Sequence, residues 1–91
     1  MKINEIIRDV MENTVAPDGK KITQAAMVDH INEKYEQNVS RAAMSDRFKN
    51  ENMRINTAIE MLDLLGYEVV VRPKKDSRKT YVVERGEGRG K

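Results

Sequence analysis

The spacing of apolar residues changes once along this chain, and the change divides it. Up to Leu65 the apolar side chains recur at helical intervals, whereas from Tyr67 onward they alternate with polar ones. Gly66 stands at the switch, where a glycine is well placed to end a helix in the left-handed conformation. A helical body followed by a short β element is therefore expected.

Within the helical part, Ile3, Ile6, Ile7, Val10 and Met11 make one stripe, with Lys2, Glu5, Arg8, Asp9 and Glu12 on the other side. Pro17-Asp18-Gly19 interrupts it, because proline cannot donate to the helix ladder and Asp-Gly favours a turn. Thr23 is the expected N-cap of a second helix whose buried face is Met27, Val28, Ile31 and Tyr35. The polar run Glu36-Gln37-Asn38 ends it. Ser40 suits the N-cap of a third helix in which Met44 and Phe48 are the only large apolar residues, so most of that helix's surface is left to solvent or a ligand. Asn56 is the expected cap of a fourth helix carrying Ile59, Leu62 and Leu65.

After Gly66, Tyr67, Val69 and Val71 alternate with Glu68, Val70 and Arg72, and Tyr81 and Val83 repeat the pattern beyond a polar loop, Pro73 to Arg78. This reads as a β-hairpin. Tyr67, Val69, Val71, Tyr81 and Val83 are expected to cover the helical core, leaving Val70 and Val82 on the opposite face. The expected organisation is a helical unit over 1–66, a hairpin over 67–85 and a disordered tail over 86–91, whose glycines and charges have nothing to bury.

Size and composition narrow the function. With 91 residues the chain has room for one small core, which disfavours most enzymes. The absence of cysteine removes disulfides, thiolate metal sites and thiol nucleophiles, and His30 is the only histidine, so no metal centre or cofactor is expected. Ser40 and Ser45 lack a glycine-rich nucleophile elbow, no P-loop or dinucleotide glycine pattern occurs, and no catalytic residue is assigned. The longest apolar run, Ala25 to Val28, is four residues against the ~20 of a membrane span. The first residues lack the apolar stretch of a signal peptide. A cytoplasmic protein with no membrane partner is the expectation.

The segments "ITQAAMVDHI" and "VSRAAMSDRFKN" suit the two helices of a helix-turn-helix, the first crossing the phosphate backbone and the second entering the major groove with a polar outer face. Here the sequence resembles the Cro/CI-like, XRE-type DNA-binding family. Ile22-Thr23-Gln24 matches the entry of the motif's first helix, and Val39-Ser40-Arg41 to Met44-Ser45 matches the start of its recognition helix. The continuation to Val71 looks like the family's close, so the resemblance covers roughly residues 1 to 72. It implies a four-helix, lambda-repressor-like domain with a C-terminal β-hairpin. The expected function is a dimeric, sequence-specific repressor of phage or mobile-element genes, with double-stranded DNA as its partner.

The sequence departs from the family in three places. Asn32 stands where the family has glycine, Glu33 to Asn38 are extra before Val39, and Asn50 replaces the glycine after the recognition helix. Either the first helix is longer or the angle between the helices differs. Asparagine at 50 is the next best residue for a left-handed conformation.

The resemblance implies that Arg41, Ala42, Ser45 and Asp46 face base edges. Arg41 would fork onto guanine O6 and N7, Ala42 touch a thymine methyl, and Asp46 accept from cytosine N4 or orient Arg41. Gln24, Ser40, Lys49 and Arg54 would contact phosphates. An ordinary solvated helix face with local ion pairs uses the same residues. Charge is unevenly spread, with five basic and seven acidic residues over 1–38, four of each over 39–66 and eight basic against four acidic over 67–91. Lys74, Lys75, Arg78 and Lys79 would therefore reach phosphates as a wing does, or else keep a sheet edge soluble. Val70 and Val82 suit a homodimer contact that would present two recognition helices to a pseudo-palindrome. The near-neutral motif leaves a second class open, a protein-binding inhibitor or adaptor on the same scaffold, such as an anti-defence protein or antitoxin.

Overall fold

A computed structural model describes residues 1–75 and 78–87. The chain is mostly helical: α1 (Ile3–Glu12), α2 (Gln24–Lys34), α3 (Arg41–Lys49) and α4 (Ile55–Leu64), followed by β1 (Val69–Val71) and β2 (Tyr81–Val83). The strands pair antiparallel with Val69 opposite Val83, Val70 opposite Val82 and Val71 opposite Tyr81. Four helices and a terminal hairpin are the architecture that the change of period implies. No helix among the described residues is long and apolar enough to cross a membrane.

Each helix starts and stops for identifiable reasons. Thr23 Oγ1 accepts from Ala26 N at 3.1 Å and Ser40 Oγ from Ala43 N at 3.0 Å, so both expected caps form. The α1–α2 connection closes on itself. Val15 bridges Lys21, Gly19 N donates to Ala16 O at 2.9 Å, and Gly19 has φ +83°, a conformation that Asp-Gly turns supply cheaply. Gly66 ends α4 at φ +82°, with Tyr67 N returning to Leu62 O at 3.0 Å.

Two expectations about helix boundaries are corrected. The N-cap of α4 is Arg54, which makes no side-chain cap, and Asn56 lies inside the first turn, where its amide is occupied by Gly86. Asn50 has φ −90° and ψ 108°, an extended rather than left-handed conformation. It needs no left-handed residue because its side chain accepts from Asn52 N at 2.9 Å and turns the chain by that route.

The core is built from Ile7, Met27, Val28, Ile31, Met44, Phe48, Ala58, Met61, Leu62 and Leu65, all buried. Helices α1 and α2 each pack on both α3 and α4. Sulfur-containing and branched aliphatic side chains fill the centre, with Phe48 as the one buried aromatic. Ile6, expected in the α1 stripe, is partly exposed, while Asn4 is buried. Buried Asn4 and exposed Arg8 both reach the end of α3: Asn4 Nδ2 donates to Phe48 O at 3.0 Å and Arg8 Nη2 to the same oxygen at 2.7 Å. A carbonyl near a helix C-terminus has no partner in its own helix, and a cationic donor there also suits the helix dipole.

The hairpin corrects a third expectation. Tyr67, Val71 and Tyr81 are 55%, 56% and 60% exposed, and only Val69 of the expected inner face packs against the core. The paired strands are three residues each, too short to lay a continuous apolar face over the helices.

Candidate nucleic-acid interface

The outer surface of α3 is set by what holds its inner one. Met44 and Phe48, one helical turn apart, are both in the core. Helical geometry then turns Ala42, Asp46 and Lys49 away from the body, and all three are exposed. Arg41 is also exposed, in the first turn, while Ser45 is half-buried at the flank. The structure thus gathers Arg41, Ala42, Ser45 and Asp46 on one short helix, with Ser45 set lower than the others.

The extra residues between α2 and α3 are absorbed in a defined way. Helix α2 continues to Lys34, Glu36 turns the chain with φ 52°, and Asn32 reaches forward to Val39. Asn32 Nδ2 donates to Val39 O at 3.0 Å and Asn32 Oδ1 accepts from Val39 N at 2.7 Å. The side-chain amide acts as a substitute peptide group and closes the connector into a loop. Val39 itself packs against the core. Asn32 thereby holds the start of α3 to α2.

The expected phosphate-contacting residues fall into three places. Gln24, the first residue of α2, and Ser40, the cap of α3, lie at helix N-termini. Ser40's oxygen is accepting from Ala43 N, which leaves its hydroxyl proton to donate outward. Lys49 ends α3, and Arg54 begins α4. Lys74 and Lys75 are exposed in the loop between the strands, and Arg78, also exposed, has an interaction of its own. Val70 and Val82 are cross-strand partners, 45% and 55% exposed, on the face opposite Val69.

A second polar assembly lies beside α3. Glu60 is buried, although helical geometry puts it on the side of α4 away from Ala58 and Leu65. It is covered from outside the helix. Gln37 Nε2 donates to Glu60 Oε1 at 2.8 Å and Arg85 Nε to Oε2 at 2.5 Å. Arg85 also stacks over the Tyr35 ring with its guanidinium carbon 4.7 Å from the centroid. Gly86 N donates to Asn56 Oδ1 at 2.7 Å, so the segment after β2 is strapped across α4. The expected tail is therefore corrected at its start, where Gly86 is hydrogen-bonded to α4; residues 88–91 of it lie outside the described residues.

On the neighbouring turn, Asp63 Oδ2 accepts from Lys34 Nζ and, at 3.2 Å, from the Tyr35 hydroxyl, with His30 Nε2 at 3.4 Å. The hydrogen bond from Lys34 holds the Asp63 carboxyl below its ordinary range against an opposing effect of burial, and those from Tyr35 and His30 help. Burial, then the charge of Asp63, pushes the Tyr35 hydroxyl up. His30 is thus an edge-of-core residue with structural partners. Sequence periodicity missed Gln37, Arg47, Glu60 and Arg85 as a group, since their meeting depends on a connector and a strap far apart in the chain.

Among the described residues no cluster of histidine and acidic side chains suited to a metal ion occurs. No protein-family model, curated protein or solved structure matches the chain.

Proposed function

We propose that the chain is a sequence-specific DNA-binding regulator of the Cro/CI-like type, acting as a dimeric repressor of phage or mobile-element genes. The observation that carries this reading is the mounting of α3. Its inner residues Met44 and Phe48 are buried, its ends are tied by Ser40, Asn4 and Arg8, and Ala42, Asp46 and Lys49 project freely. A short, rigidly held helix with a polar outer face is what a major groove admits.

In this reading Arg41 donates two hydrogen bonds to guanine O6 and N7, Ala42 meets a thymine methyl and Asp46 accepts from a cytosine amine. Gln24, Ser40, Lys49 and Arg54 hold the phosphates on either side, and Lys74 and Lys75 add charge from the hairpin loop. Pairing of the Val70–Val82 faces of two copies would supply the second half-site and the affinity that a neutral 39–66 segment lacks. Repression would follow from occupancy of an operator.

The protein-binding alternative is favoured by one feature, that same neutrality over residues 39–66, where four basic residues face four acidic ones. Selection of bound duplexes from random DNA at moderate salt separates the two. Enrichment of a palindrome is expected for the repressor; a module that docks on a protein enriches no sequence.

A further inference from the structure

Between α3, the α2–α3 connector, the start of α4 and the strap after β2 lies an open cleft of about 500 Å³. Its lining includes Arg47 from α3, Arg54 from the cap of α4 and Arg85 from the strap, with Glu60 as the only acidic residue among the described ones. We propose that this cleft is a binding site for a phosphate group.

Three observations point there independently. The first is charge. Three guanidinium groups from three separate elements line one cleft, and the single carboxylate, Glu60, already has one oxygen bonded to Gln37 and the other to Arg85. Two positive charges are left over. The second is an unmet donor: Arg47 Nη2 reaches Gln37 Oε1 at 3.4 Å, but Arg47 Nη1 is buried with no hydrogen-bond partner. A buried ionised donor without an acceptor is costly, and a turn of the Arg47 guanidinium toward an anion in the cleft would relieve it. The third is the start of α4. Arg54 provides no side-chain cap, so the first-turn N–H groups of Ile55, Asn56 and Thr57 are uncapped by it, at the positive end of the helix dipole and on the cleft wall.

A tetrahedral phosphate oxyanion fits this set better than a planar carboxylate. Planar guanidinium forks and a row of backbone N–H groups can each engage a different pair of its oxygens. The site shares Arg54 with the proposed phosphate contacts but does not require that α3 read bases, so it stands where base reading fails. The phosphate belongs either to a DNA backbone running past the end of α3 or to a free phosphorylated molecule that ties α3 to α4 and the strap.

The test is a titration of the full chain with inorganic phosphate at constant ionic strength, following by NMR the Nε–H signals of Arg47, Arg54 and Arg85 and the amides of residues 55–57. Saturable shifts confined to these groups are expected. Arg54→Gln, at an exposed position that does not threaten folding, is expected to weaken binding about tenfold, and Arg47→Gln similarly, while Lys21→Gln has no effect. A second arm adds random-sequence duplex DNA. Movement of the same signals, reversed by phosphate, identifies the backbone as the source; signals that respond to phosphate alone identify a free ligand. Shifts that never saturate, that spread over the surface lysines, or that persist unchanged in Arg54→Gln overturn the proposal.

Discussion

Asn32 grips Val39 by both polar groups of its backbone, donating to the carbonyl at 3.0 Å and accepting from the N–H at 2.7 Å. This one side chain converts a six-residue excursion, Tyr35 to Ser40 between α2 and α3, into a closed loop with a fixed exit. The orientation of α3 depends on it. Asn32→Ala leaves two half-buried backbone groups of Val39 without that partner, and a loss of about 1–3 kcal/mol in stability is expected from urea unfolding. Asn32→Asp keeps the acceptor but sets a carboxylate oxygen against the Val39 carbonyl, so it should also fall below the native chain. Unchanged unfolding midpoints in both variants would show that the connector is held by other contacts.

The strap after β2 makes a comparable prediction for α4. Arg85 carries one of the two hydrogen bonds to buried Glu60, whose side chain is 4% exposed. Arg85→Ala strands that carboxylate, and since breaking a buried pair from one side costs about 3–5 kcal/mol, discounting for the partial exposure of Arg85 gives about 2–3 kcal/mol. Pairing that change with Glu60→Gln removes the stranded charge and should recover part of the loss. The double variant melting below Arg85→Ala alone would contradict this account of the pair.

How far these relationships are legible in the sequence depends on how local they are. Thr23, Ser40 and Gly66 act within one turn of their own position, and their types alone indicate the caps and the helix end. Met44 and Phe48 are equally plain, because helical spacing aligns them. Glu60 is different. Its position on α4 marks it as a solvated residue, and it is buried only because Gln37 and Arg85 arrive from distant segments. The hairpin is misjudged for a related reason: alternation reveals that two faces exist, but not that only Val69 of the inner one reaches the core while Tyr67, Val71 and Tyr81 stay exposed. Of the candidate interface, the exposure of Arg41, Ala42 and Asp46 was legible, whereas Asn32 could be noticed only as a departure and its clasp on Val39 could not.

Acid should reveal the Asp63 cluster. Because the folded carboxyl titrates below its ordinary value of 3.8, chiefly through the hydrogen bond from Lys34, its contribution is complete above that value and disappears as the pH falls through the lowered folded one. The melting temperature of the native chain should therefore exceed that of Asp63→Asn near neutral pH, and the gap should close as the pH drops below 3.8. Asp63 is partly exposed, so the gap will be modest. A gap independent of pH would mean that the carboxylate is not the stabilising form.

Val70 and Val82 offer a test of assembly. Both are exposed and neither supports the helical core, so Val70→Lys should leave the helical circular dichroism intact while shifting a dimer to a monomer in sedimentation. A native chain that sediments as a monomer at high concentration would remove the dimer from the proposed mechanism.

The central claim is that the exposed face of α3 reads bases, and Arg41 is where it is most directly tested. Arg41→Ala removes an exposed first-turn side chain without touching Met44 or Phe48. Equilibrium titration of the native chain and this variant against the selected duplex and a scrambled one, at matched salt, measures the specific and general components together. The account predicts a loss of about 1–3 kcal/mol on the selected duplex and much less on the scrambled one. Equal losses on both would show that α3 does not read sequence, and the protein-docking alternative would then be the better description of this fold.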